Sequence, residues 1–553
     1  MLAAAAQVTK EGQPRASWVL LIGASLLVAI PGVVAASAWG QQHRAETAKR
    51  DEIARSRAAE RRTHFETVAR GVAQSHWTGS LFTGRERVLR ALAAWLADDS
   101  GGSLRIVIGQ PGSGKSAVLG RLVELSDPAT RKTLAGDTPP DCLPPVRCVH
   151  LALTARGRTL PDLVAQIASE VRLTIGSVDE LILGLRDRKA PLVVLLDGLN
   201  ESAEPELVAR ELVGKLADRE DGTGLRMVVG SRPSLLRSIR VSDEEVIDLD
   251  GPDYFEPADL VEYTRKCLRE FTRPDGALDP AKTRDIAAGI AERAGTAFLV
   301  AQLTARAISR DIDGRTVRWR ECFPDNVGAA MEAYLDRIPD GRRARTLLMP
   351  LAFAKGDGLA PDMLWAELAT TLGTESVTEQ DVRCLIHDSP ASSLITKSAT
   401  AHYYLYHEAF AEHLRNTCPH ESPHCAIVNK LRNMVAPDWF AAHPYIREHL
   451  ATHAAQANAI DELLSDSNYL GVAAAAPLLR ALSHVAAPAA RQAAEVYRGV
   501  AHHIRRQPDL AAFYLELYAR QRGYDRLADA WVQGLSERKY SVNLFVATVR
   551  LGW

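Results

Sequence analysis

Eight consecutive residues carry the most specific chemistry in the 553-residue chain: Gly109, Gln110, Pro111, Gly112, Ser113, Gly114, Lys115 and Ser116. They fit the spacing G-x-x-x-x-G-K-[ST]. In that motif the backbone N–H groups of a glycine-rich turn surround a β-phosphate, and the helix that follows adds its N-terminal dipole. Lys115 is then expected to reach the β- and γ-phosphates, and the Ser116 hydroxyl to ligate Mg2+. The second motif is an apolar run ending in an acid, Leu192-Val-Val-Leu-Leu-Asp197. A carboxylate at the C-terminal edge of a strand points at the hydration shell of that Mg2+. Asp-Gly also caps ordinary buried strands, but its place downstream of a phosphate loop selects the metal role for Asp197. Glu201, in Gly198-Leu-Asn-Glu201, is the candidate base that polarises water. Arg232, in Ser231-Arg-Pro233, can contact a γ-phosphate and sense its loss. The expected cofactors are ATP or ADP with Mg2+.

Such groups have to be presented at the edge of a sheet. Leu104–Ile108 reads as a buried strand before the loop, and Ser116–Leu125 as the helix after it. Val146–Leu153, Arg226–Gly230 and Val246–Leu249 are the remaining strand candidates. The expected fold is an α/β P-loop NTPase with a parallel sheet in the order 5-1-4-3-2, one strand lying between the two nucleotide motifs. From residue 251 onward the pattern is that of amphipathic helices, Ala- and Leu-rich after 426, without a clear repeat period.

Together these motifs resemble the NACHT branch of the signal-transduction ATPases with numerous domains. Phe82-Thr-Gly-Arg-Glu86 resembles the family's entry motif, and Asp197-Gly-Leu-Asn-Glu201 its D-G-x-D-E form of Walker B. Gly230-Ser-Arg-Pro233 resembles its sensor strand, and Tyr406-His-Glu-Ala-Phe-Ala-Glu-His-Leu414 the end of its winged-helix domain. The resemblance covers residues 80–416, with similarity to actinobacterial members through Tyr445–Leu470. It implies a switch that is closed with ADP, opens with ATP, assembles as a homo-oligomer on activation and hydrolyses ATP slowly. It further implies that His407 bonds the β-phosphate of ADP in the closed form. The implied limits are a P-loop domain at 79–250, a helical domain at 251–335, a winged-helix domain at 336–416 and an α-helical C-terminal region at 417–553. Two departures stand out. Asn200 replaces the family's aspartate beside Glu201, which leaves binding intact and removes one acid from the hydrolytic site. Gly295-Thr-Ala297 takes the place of an adenine-contacting G-x-P but lacks the proline.

Composition excludes several other classes. Lys+Arg total 66 against 68 for Asp+Glu, so no basic field points to a nucleic-acid partner. A hydrophobic fraction of 46% excludes global disorder. Seven cysteines, odd and scattered, make no disulfide framework. Cys418-Pro-His-Glu-Ser-Pro-His-Cys425 could bind Zn2+, but its spacing fits no standard site and it reads as an interdomain loop. No Ser-His-Asp arrangement has motif-level support.

From Trp18 to Trp39 the chain carries no charge. At about 1.5 Å per residue this stretch spans roughly 33 Å as a helix, enough for a hydrocarbon core of about 30 Å. Ala36-Ser-Ala38 has the form of a signal-peptide cleavage site, but cleavage would export a machine that needs cytosolic ATP. A single transmembrane helix at 18–39 is therefore expected. Lys10 and Arg15 precede it, and Arg44, Lys49, Arg50, Arg55 and Arg57 follow. The positive-inside bias places residues 1–17 outside, a charged helical linker at 40–78 inside, and the NTPase and C-terminal bulk in the cytoplasm. The rival reading is a continuously cycling motor ATPase at the membrane. The stimulus or partner protein has no readable motif.

Overall fold

A computed structural model describes residues 61–71, 80–98, 102–173, 175–186, 191–216, 224–272, 279–309, 323–398, 400–435 and 439–536. The expected span at Trp18–Trp39 and most of the linker lie outside these residues. Among the described residues no helix is long and apolar enough to cross a membrane.

Five strands form a parallel sheet: β1 (Leu104–Ile108), β2 (Leu151–Thr154), β3 (Leu192–Asp197), β4 (Leu225–Ser231) and β5 (Val246–Asp248). Their order is β2-β3-β4-β1-β5, which is 5-1-4-3-2 read from the β5 edge. The central strands are apolar on both faces because helices cover both faces. Ile106, Val194 and Val229 enter one core with the helices Leu160–Glu170 and Val178–Arg186. Their neighbours Val107, Val193 and Val228 enter the opposite core, with α1 (Glu86–Ala97) and α2 (Lys115–Ser126). The loops after β1, β3 and β4 consequently open on the same carboxyl edge, where open α/β sheets bind ligands.

The strand expected at Val146–Leu153 starts only at Leu151. Pro144 and Pro145 remove backbone donors, Arg147 turns the chain at φ 59°, and Val146 faces solvent. The end of the expected linker is docked on the domain. Arg61–Ala69 is helical, with Phe65 and Val68 buried against α2. This close approach needs a glycine on α2: a Cβ on Gly120 would stand 2.8 Å from Phe65 O and 2.9 Å from Ala69 N.

From Leu260 to Trp531 one continuous buried core joins the helices. Four of them, Val327–Leu335, Gly341–Phe353, Met363–Leu372 and Glu379–His387, precede an antiparallel hairpin of Ile395–Lys397 with Tyr403–Leu405. Before them stands α3 (Phe298–Ile308) and after the hairpin α4 (Glu408–Asn416); both reach the sheet's carboxyl edge, where Leu299 N donates to Gly112 O and Glu412 pairs with Arg232. The expected loop at 418–425 is only half a loop. Pro423 opens a helix running to Val435, and it carries Cys425. Among the described residues no group of His, Cys, Asp and Glu is placed to hold a metal ion.

Candidate functional site

The turn between β1 and α2 is built for close approach of a ligand. Gly114, the residue before α2, has φ +93°, and a Cβ there would meet nothing within 4 Å. Open space therefore stands above the loop. Ser113 is fully buried and its Oγ has no hydrogen-bond partner. Lys115, the first residue of α2, folds back so that Nζ donates to Gly109 O at 2.7 Å and Gln110 O at 2.9 Å. Burial lowers its ammonium to about 8, against the opposing fields of Asp250 and Asp197. Pro111, Gly112, Ser113, Gly114, Lys115 and Ser116 all line one cavity of about 940 Å3, its open mouth included. Gly109 and Gln110 form the rim of the turn through the carbonyls that hold Lys115.

Asp197 ends β3 at the wall of this cavity and is 2% exposed. The chain then turns at Gly198 into Leu199–Glu201, and Asn200 and Glu201 also line the cavity. Burial raises the Glu201 carboxyl. Glu408 and Asp197 add to the rise, while Arg156 and His64 oppose it. Arg232 leaves β4 into the same cavity and pairs with Glu412 Oε1 of α4 at 2.5 Å. The structure thus gathers Asp197, Glu201 and Arg232 around the phosphate loop.

His407 closes the cavity from the far end of the chain. It precedes α4, and its Nδ1 accepts from Ala409 N at 3.1 Å as a helix cap. An accepting Nδ1 leaves the proton on Nε2. Burial holds the imidazole at about 3, helped by Lys115, Arg232 and Arg156, so the ring is neutral near pH 7. Tyr406, Tyr263, Phe298, Leu299 and Gln302 also line the cavity. Leu299 N donates to Gly112 O at 3.2 Å, tying α3 to the phosphate loop directly after Gly295-Thr-Ala297.

Two supporting residues had no assigned role in the sequence. Asp250 accepts from Gln110 N at 2.6 Å and steadies the entry of the turn. Arg85 is 3% exposed; its guanidinium donates to Ser113 O at 2.7 Å and to the Leu249 and Tyr254 carbonyls. Burial lowers it to about 10. The entry motif Phe82–Glu86 contained Arg85, although its spacing gave no hint that the side chain braces the phosphate loop. A third contact, from His64 to Asp197, had no sequence signal at all.

No protein-family model matches the chain, and no curated protein matches it. Twenty-four chains of solved structures match. One is Cdc6p from Pyrobaculum aerophilum, 14% identical, covering 63% of this chain and 97% of that one, with a TM-score of 0.30. The P-loop NTPase fold rests on the sheet order, the phosphate turn and the acid that ends β3 in this chain itself.

Proposed function

We propose that the chain is a nucleotide-dependent switch of the NACHT kind, closed over ADP and opened by exchange for ATP. The observation that carries this reading is the closure of a phosphate-loop cavity by α4 and its cap, with His407 in the lining and Glu412 as partner to Arg232. A sensor arginine held within its own chain favours a latch over a cycling motor, in which arginines act on transferring phosphate. Lys115 places its charge on the phosphates. His407 Nε2–H is the donor available to a β-phosphate oxygen. Ser116 and Asp197 are the residues that would hold Mg2+, which when bound neutralises charge on the phosphate oxygens. Glu201 would accept a proton from water. Burial raises its carboxyl, and Asn200 beside it supplies no second acid, so slow hydrolysis is the expectation for this site.

The uncharged stretch Trp18–Trp39 supports a membrane anchor for this switch, with the bulk of the chain in the cytoplasm. Opening would expose the P-loop domains for homo-oligomeric assembly, triggered by a stimulus or partner protein. The test is the ADP dissociation rate of the parent and of His407→Ala. Loss of a hydrogen bond to a charged group costs about 1.5–3 kcal/mol, so the variant should release ADP about 10- to 150-fold faster. Equal rates would leave the cavity without a latch at His407.

A further inference from the structure

The helical turn ahead of the P-loop domain reaches the acid that ends β3. His64 Nε2–H donates to Asp197 Oδ2 at 2.9 Å. The other carboxylate oxygen, Oδ1, lies beside Gly230 of β4, where a Cβ would stand 2.9 Å from it. His64 thus already holds an acceptor position on Oδ2. Packing fixes His64 there. Phe65 beside it is completely buried, and the backbone of 65–69 rests on Gly120 of α2. Val68 and Gly71 line the same cavity. One short segment thus touches the cavity and holds the acid that ends β3.

We propose that His64 is a positioning residue that holds Asp197 in the metal-free site and yields Oδ2 when Mg2+ loads, so that Mg2+-nucleotide loosens the 61–65 turn from the site. This rests on the nucleotide reading of the cavity. A carboxylate oxygen has a limited set of lone-pair positions. In the proposed exchange, a water bound to Mg2+ takes the position on Oδ2 that His64 now holds. The segment that yields leads toward the N-terminus of the chain, so nucleotide loading would be transmitted in that direction.

The experiment uses the full chain and a fluorescent, non-hydrolysable ATP analogue titrated with Mg2+. His64→Ala should reach half-saturation at about 5- to 10-fold lower Mg2+ than the parent, with unchanged analogue affinity in EDTA. His64→Gln, whose amide N–H can stand where Nε2–H stood, should behave as the parent. In the parent, amide hydrogens of 61–69 should exchange about tenfold faster with Mg2+-analogue than with analogue in EDTA. An equal or higher Mg2+ requirement in His64→Ala would overturn the proposal, because His64 would then be neutral or would support the metal-bound acid. Exchange at 61–69 that ignores Mg2+ would overturn it too. If the parent binds no analogue under any condition, the nucleotide reading fails first and this role falls with it. Normal binding with unaltered Mg2+ dependence removes His64 alone.

Discussion

Arg232 Nη1 lies 2.5 Å from Glu412 Oε1, so the arginine at the end of β4 is bound to a carboxylate on α4 rather than waiting free at the phosphate site. The side chains are 24% and 37% exposed, which limits the pair to about 1 kcal/mol or less. Glu412→Gln should speed ADP release by up to about fivefold. The swapped pair Arg232→Glu with Glu412→Arg should recover part of that loss. Stopped-flow release of a fluorescent ADP reads both, and unchanged release in Glu412→Gln would show that the pair does not hold the closed form.

Lys115 and Glu201 separate binding from chemistry. Lys115→Ala leaves phosphate charge uncompensated and should abolish measurable nucleotide binding. Glu201→Gln keeps the shape of the site but cannot take a proton, so binding should persist while turnover falls by about 10²-fold or more. Calorimetric binding and single-turnover hydrolysis check the two. Equal turnover in Glu201→Gln would remove this residue from the reaction.

Gly120 tests the docking of the segment before the domain. In an ordinary helix interior Gly→Ala stabilises by up to about 1 kcal/mol. Here the new Cβ would stand 2.8 Å from Phe65 O, so Gly120→Ala should instead destabilise by about 1–3 kcal/mol. It should also open 61–71 to proteolysis. A raised melting temperature would mean that the segment does not rest on α2.

The phosphate turn, the acid after β3 and the strand runs were legible because each depends on local chemistry: glycine spacing, a carboxylate after an apolar run, and residues apolar on both faces. Val146–His150 misled because an apolar residue near a real strand mimics one, while two prolines and a left-handed arginine decide the backbone. His407 was legible only through resemblance, since a lone histidine before a helix has no signature of its own. The contacts of His64 with Asp197, Arg85 with Ser113 and Glu412 with Arg232 were not legible at all. Each joins groups far apart in sequence, and no spacing rule carries that information.

His407 also sets a pH dependence. Its folded value of about 3 lies below the ordinary 6.5, chiefly through burial and then through Lys115 and Arg232. The unfolded chain takes up a proton between these values and the closed fold does not, so the contribution is complete above about pH 6.5 and is lost as pH falls toward 3. At pH 5 the loss is about 2 kcal/mol. His407→Asn keeps a helix-capping side chain without a titrating ring. The parent should therefore lose about 2 kcal/mol more than this variant between pH 7.5 and pH 5 in denaturant unfolding. Parallel losses would show that the imidazole is not held neutral.

The most direct measurement is the nucleotide content of the full chain after gentle purification, released by denaturation and quantified by chromatography. A closed site with Lys115 on the phosphates and His407 over them predicts about one ADP per chain in the parent and none in Lys115→Ala. An empty parent, or the same content in both proteins, would contradict a nucleotide switch closed over ADP.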